Sequence, residues 1–287
     1  MVRNVRIIKM PNKKISLHIQ QNTTIDRVAG ILDYLNGHEI DIHQLEYICN
    51  LRYSVLQKNV FPFLRQINIL DKDNPPKLTS LGKIASEISY SNSDLLGDFF
   101  HLIIYSLHLK EPDKRLSWAY ARLAQTLWLR EEVMLSTSEK KSLVTEVIEK
   151  ASEKFSLPPS EISFSDSSIS GCLNWLRTLQ PNVITRQGKV DFFSRRYFCT
   201  APVLVKAIDI LYQYKQRTYG VKVFLREEIR KFICKMLLLD PQGLDNSLEN
   251  AMRTYSYDQG GFFDYGYEGG YGQWIMLTLS PQWDELF

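Results

Sequence analysis

The sequence predicts a mainly α-helical protein with small β-hairpins. Three observations carry that expectation. Apolar residues recur at helical spacing over most of the 287 residues. The few period-2 stretches are short and bounded by turn residues such as Pro11-Asn12-Lys13 and Arg186-Gln187-Gly188-Lys189. An order of short helices followed by a polar hairpin is clear over Thr23–Ile88 and returns more loosely twice afterwards.

Taken in order, Val5–Met10 and Lys14–Gln20 read as a pair of strands, because Ile15, Leu17 and Ile19 alternate with polar residues. Thr23 or Thr24 caps a helix whose apolar stripe is Ile25, Val28, Ala29, Leu32 and Leu35, with Gly37 as its stop. Asp41 and Gln44 resemble a capping box for a second helix with Ile42, Leu45, Ile48 and Cys49 inward. A third helix spans Tyr53–Ile67, with Val55, Leu56, Val60, Phe63, Leu64 and Ile67 inward. Pro62 should kink or split it, since an interior proline costs about 3 kcal/mol. Ile69-Leu70, the loop Asp71–Pro76 and Lys77-Leu78-Thr79 form a hairpin, and Ser80 opens the next helix.

Leu95–Leu109 is apolar nearly all round, apart from Asp98 and His101, and so predicts a buried central helix. A helix is expected over Leu116–Leu135. Ser136 and Glu139 form a capping box for the next, over Glu139–Phe155. After Leu157-Pro158-Pro159 come a helix at Ser167–Leu179 and a candidate hairpin from Val183-Ile184 to Phe193. Thr200 and Pro202 then start a helix that runs to Tyr214. Leu225–Leu239 and Leu244–Tyr255 are the last two helices, and the Gly/Tyr-rich stretch Gly260–Gly272 reads as a long flexible hairpin tip leading to a strand at Trp274–Leu279.

With 44% hydrophobic and 23% charged residues, long disordered spans are excluded. No apolar run reaches the roughly 18 residues of a membrane span, and the basic N-terminus lacks the apolar segment of a signal peptide. Cys49, Cys172, Cys199 and Cys234 are far apart and form no CxxC pair, which points away from zinc or disulfides and toward a reducing cytoplasm. Charge is uneven. Residues 1–14 hold five basic groups; Arg186–Lys231 holds eleven basic and four acidic, hence +7; Asp240–Phe287 holds one basic and eight acidic, hence −7. Either a basic surface meets phosphates, or the two blocks neutralise each other in the fold.

The third helix is the candidate reader of nucleic acid. Arg52, Tyr53, Ser54, Gln57, Lys58 and Arg65 fall on its outward side, and Lys72 and Lys77 flank the hairpin tip. Long polar and cationic side chains suit groove edges and phosphates. The count over Arg52–Lys83 is six basic and two acidic, hence +4. In the second hairpin Arg186, Lys189, Arg195 and Arg196 stand beside Phe192, Phe193, Tyr197 and Phe198. That mixture serves backbone contact and stacking, or else a core beside a solvated face. Asp94, Asp98, His101, Tyr105 and His108 share one helix face, yet no second ligand cluster accompanies them. No catalytic motif, metal set or cofactor loop is found.

Asn68-Ile69-Leu70, the proline-rich tip and Leu78-Thr79-Ser80-Leu81-Gly82-Lys83 resemble the wing and following helix of winged helix-turn-helix regulators, which commonly carry an LTxxG stretch there. The likeness covers roughly residues 23–90. The order of parts is also similar to a bacterial family encoded in defence islands beside DNA phosphorothioation or PAPS-reductase-like genes. It is carried by Leu78–Gly82, the Leu95–Leu109 helix, Trp118, the Ser167–Leu179 helix and the triplet Gly37-His38-Glu39, whose flanks depart from that family's pattern. These resemblances imply tandem winged-helix units around a helical middle. Residues 1–22 would form an N-terminal β-hairpin and 23–90 a winged-helix domain. Residues 91–215 would be the helical middle, with a second such unit at about 139–200, and 216–287 a third ending in the Gly/Tyr hairpin. The implied protein is a non-catalytic subunit or regulator that binds double-stranded DNA and serves anti-phage defence or transcription. It would act as a homodimer or with other subunits. The alternative is an adaptor that assembles a nuclease or ATPase complex.

Overall fold

A computed structural model describes residues 14–37 and 41–287. The expected strand Val5–Met10, its turn, the basic residues before Lys14 and the pair His38-Glu39 lie outside the described residues. A first module follows the short strand β1 (Ile15–Ser16) and consists of α1 (Ile25–Leu35), α2 (Ile42–Cys49) and a rod formed by α3 (Tyr53–Val55), a π-turn (Leu56–Val60) and α4 (Phe61–Gln66). Pro62 causes the π-turn. It has no N–H to give, and its ring clashes with the carbonyl four residues back in a regular helix. In the wider turn the Phe61 N–H donates to the Leu56 carbonyl, and the expected split appears as the division of the rod into α3, the π-turn and α4. Beyond it, Leu70 and Leu78 form an antiparallel bridge beneath the loop.

Asp41 caps α2 by accepting from the N–H groups of His43 and Gln44. Leu45 and Cys49 are buried as expected, but Ile42 and Ile48 are exposed. This eight-residue helix packs chiefly along α1 and cannot bury two sides.

Then come α5 (Ser80–Ser91), started by the Thr79 hydroxyl accepting from the Gly82 N–H, and α6 (Ser93–Lys110). As expected, α6 is the central helix. Leu95 to Ser106 are buried almost without a break, and the helix touches α5, α7 (Arg115–Arg130), α9 (Asp166–Leu176), α10 (Ala201–Tyr214) and α11 (Glu227–Leu237).

The helix expected over Leu116–Leu135 ends at Arg130. Glu131 takes φ 64°, and Glu132–Leu135 becomes β2, with Val133 and Leu135 turned more inward than Glu132 and Met134. The chain continues through α8 (Thr137–Phe155), β3 (Ile162–Ser163), α9, β4 (Ile184–Gln187) and β5 (Val190–Ser194), giving a sheet ordered β2-β5-β4. After α10 come β6 (Val223–Phe224), α11, α12 (Pro241–Tyr255), β7 (Phe263–Glu268) and β8 (Gly272–Leu277), with the sheet ordered β6-β8-β7. Both stretches share one plan: helix, strand, two helices, then a hairpin whose second strand lies in the middle of the sheet. On this plan the first of the two stretches begins at α7, whereas the sequence placed a second winged-helix-like unit at about 139–200. Of the expected strand Lys14–Gln20, Ile15–Ser16 is strand. Ile15–Ser16 pairs in parallel with β3 and so clamps the first module to the second. Much of the Gly/Tyr stretch is itself strand, because β7 runs through Tyr265 and Tyr267.

A buried polar hub joins these parts around α6. Asp98 and Arg196 form an ion pair at 2.7 Å, with both side chains withdrawn from solvent. Asp98 also accepts from the Gln180 N–H at 3.1 Å. Arg196 donates to the Gln180 and Leu237 carbonyls at 2.8 Å. His101 stands one turn along α6. Its Nε2 lies 2.7 Å from the Met236 carbonyl, which can only accept, so Nε2 carries the proton. Nδ1 then accepts from the Tyr120 hydroxyl at 2.8 Å. Burial pushes the His101 imidazole down to about 3. It raises the Asp98 carboxyl, a rise that the Arg196 guanidinium opposes. Close approach of the backbone matters here too: a Cβ on Gly97 would sit 2.0 Å from the Thr178 carbonyl oxygen.

Two outcomes follow for the fold. Asp98→Ala strands a buried guanidinium and should cost about 3–5 kcal/mol in denaturant unfolding, while Asp98→Leu combined with Arg196→Met should recover much of that loss. His101, and His108 with its imidazole pushed down to about 4 mainly by burial, stay neutral in the fold but take up protons in the unfolded chain below about pH 6.5. Stability is therefore present above that value and falls as pH drops from about 6.5 toward 4, by about 1.4 kcal/mol per pH unit for each histidine. His101→Gln, which keeps one donor and one acceptor, should flatten this slope measurably.

Candidate nucleic-acid interface

The expected reader side chains do not share one fate. Arg52, Ser54, Gln57 and Lys58 are exposed along α3 and the π-turn, and Lys72 and Lys77 are exposed on the hairpin. Among the described residues no carboxylate lies within ion-pair distance of Arg52, Lys58, Lys72 or Lys77. The tip is electrically mixed, however, since Asp71 and Asp73 alternate with Lys72.

Tyr53 and Arg65 are corrected to structural roles. The Tyr53 ring packs edge-on against Phe61 at 6.0 Å, and its N–H donates to Glu46 Oε1 at 2.6 Å. It anchors the start of the rod. Arg65 is half-buried and aims its guanidinium at the hairpin. Nε donates to the Asp71 carbonyl at 2.8 Å and Nη2 to the Asp73 carbonyl at 2.7 Å. Asp71 in turn accepts from the N–H groups of Asp73 and Lys77. Arg65 thus fixes the hairpin and is not free to reach a groove beside Lys58.

The second hairpin divides more sharply. Arg186 and Lys189 stand exposed at its tip. Arg196 is interior, in the hub, and is withdrawn from any surface role. Arg195 lies over the Trp128 ring at 4.1 Å, donates to the Trp128 carbonyl at 2.8 Å, and pairs with Glu131 at 3.3 Å and Asp240 at 3.8 Å. The expectation of a stacking surface fails for these two arginines, and so does the alternative of a solvated arginine face. Asp98, His101 and His108 are likewise structural: His108 sits against the Ser117 hydroxyl. Among the described residues no group of three His, Cys, Asp or Glu side chains is placed to hold a metal, and no helix is long and apolar enough to cross a membrane.

The helices of the other modules that correspond to the rod offer little to nucleic acid. α9 is buried beneath the first module. Phe63 stacks on Trp175 at 5.5 Å, Asn174 donates to the Gln21 carbonyl, and His18 meets Ser168 at 2.7 Å. A Cβ on Gly171 would sit 2.3 Å from the Ile19 carbonyl oxygen, so only glycine allows this contact. α12 exposes Gln242, Asn246, Glu249 and Arg253, a face without net positive charge. The two charge blocks of the sequence also meet in part, because Arg195 pairs with Asp240, Arg230 with Asp245 and Lys222 with Glu268.

No family model matches this chain, and no curated protein or solved structure matches it either.

Arg65→Ala should release the hairpin with little effect on the global fold. Amide exchange of residues 70–79 should quicken by about tenfold, in line with about 1–2 kcal/mol for the lost hydrogen bonds. Unchanged protection would show that the loop is held by other means.

Proposed function

We propose that this chain is a non-catalytic, double-stranded-DNA-binding protein in which the first module is the reading head, and that the second and third modules, winged-helix-like in plan, serve as its scaffold. The observation that carries this reading is the contrast among the three modules. Among the described residues of the three modules, only the rod Tyr53–Gln66 pairs an exposed polar row with cations free of carboxylate partners, whereas α9 is covered and the exposed Arg253 of α12 is paired with Glu249. Arg52, Gln57 and Lys58 would approach the groove, and Lys72 and Lys77 the flanking phosphates. Arg186 and Lys189, at the tip of another hairpin, are available for a further backbone contact.

A second reading, an adaptor in a larger assembly of the kind the defence-island resemblance implies, is favoured by one feature. The β7–β8 hairpin presents Tyr267 and Tyr271 at 73% and 68% exposure, and such rings are common anchors between proteins. Salt separates the two readings, because phosphate contacts weaken steeply with ionic strength and apolar contacts do not.

In an anisotropy titration with a duplex of mixed sequence, Arg52→Ala with Lys58→Ala should weaken binding across all sequences. The slope of log K against log salt should become shallower by about 2, roughly 0.9 per lost phosphate contact. An unchanged affinity and slope would remove this surface from the site.

A further inference from the structure

A cleft of about 770 Å³ opens at the meeting of α6, α7, α8, α10 and α11, away from the residues assigned above to DNA. Its size lies within the range of small-ligand sites, about 300–1,000 Å³. Five cations line it, Arg122, Lys154, Lys215, Lys231 and Lys235, against the single carboxylate of Glu228. Lys231 is drawn to Glu227 on its own helix. Among the described residues the other four have no ion-pair partner. The Nε of Arg122 is buried and makes no hydrogen bond.

These groups are close enough to act on one another. Burial, followed by the charges of Lys231 and Arg122, lowers the Lys235 ammonium. Lys154 and Arg122 help hold His108 neutral. Like charges gathered in a concave, partly apolar site repel and focus a positive potential, and an anion relieves both effects. The walls add a second requirement. Tyr214 and Phe232 stack on each other at 5.5 Å and 9°, a pair that a base can extend on an outer ring face, with Trp118 and Tyr105 also lining the cleft. Gln125, whose amide nitrogen donates to the Tyr105 hydroxyl, lines the cleft as well, as does the Glu228 carboxylate.

We propose that this cleft binds a nucleoside polyphosphate. Arg122, Lys154 and Lys235 take the phosphates, and the Tyr214–Phe232 pair with Gln125 takes the base. Inorganic polyphosphate satisfies the cations and leaves the aromatic wall unused. The site does not depend on the DNA-binding assignment.

The test is calorimetric titration of the full chain with metal-free ATP, tripolyphosphate and adenosine, repeated on Arg122→Gln combined with Lys235→Gln. ATP should bind in the micromolar range, tripolyphosphate at least tenfold more weakly, and adenosine without measurable heat. The double variant should lose at least tenfold in ATP affinity while its melting temperature stays equal or rises, because repulsion has been removed. Its duplex-DNA affinity without nucleotide should match the parent's, which separates this site from the reading head. The proposal is overturned if ATP gives no heat at millimolar concentration, if the double variant binds ATP as the parent does, or if tripolyphosphate binds as tightly as ATP.

Discussion

The ion pair between Asp98 and Arg196 sets the arrangement of the whole chain. Two charges withdrawn from water are tolerated only when their partners are in place, because an unpaired buried charge costs far more than any one apolar contact returns. Those partners come from separate regions: α6 supplies Asp98, the segment after β5 supplies Arg196, the turn after α9 supplies Gln180, and the end of α11 supplies the Leu237 carbonyl. His101 adds Tyr120 from α7 and Met236 from α11. The second and third modules therefore cannot rotate about α6 without breaking several of these bonds at once. Apolar packing alone would allow sliding; directional hydrogen bonds in a dry interior do not.

This rigidity explains how one plan can be used in different ways. Where a module exposes its last helix, that helix is free for a ligand. Where small residues line the helix, another backbone can lie against it instead. Gly171 and Ser168 on α9 admit the segment from His18 to Gln21 in this way, and Gly243 on α12 admits the Tyr197 carbonyl. Side-chain size at a few positions thus decides whether an element is a surface or a joint. The rod Tyr53–Gln66 keeps its long polar residues outward along its N-terminal half, and its own arginine, Arg65, is spent on holding the hairpin.

The sequence was legible wherever the signal was local. The stripe of α1, the caps at Asp41 and Ser136, the all-round apolar α6 and the hairpins after Val183 and Phe262 all come from periodicity or turn chemistry, and the structure contains them. What was hidden depends on partners far along the chain. β2 follows a helix without a break in pattern and is a strand because β5 lies beside it. β1 is set by β3, roughly 150 residues away. Pro62 signalled an interruption, and the chain widens there by one residue with Leu56 and Val60 still buried in the core. For the candidate interface, outward spacing located Arg52, Gln57 and Lys58. No pattern distinguishes an arginine that will enter a core, such as Arg196, from one that stays exposed, such as Arg186.

Charge shows the same difference between sequence and fold. Counted in blocks, the basic stretch Arg186–Lys231 suggests one positive surface and the acidic C-terminal part its opposite. Folding redistributes both. Arg196 goes to Asp98, Lys206 to Asp209, and Arg195, Lys222 and Arg230 to acidic residues that lie at or beyond Asp240. What remains unpaired is set by geometry, and it gathers from distant parts of the chain. Arg122 on α7, Lys154 on α8, Lys215 after α10 and Lys235 on α11 share one concavity, although no short window of sequence contains two of them. A positive potential focused in an aromatic-walled cleft is stronger than the same charges spread on a convex surface, because the low-dielectric walls confine the field. The net charge of +3 therefore understates what a small anion meets there. Among the described residues, the cleft gathers four cations without a carboxylate partner into one concavity.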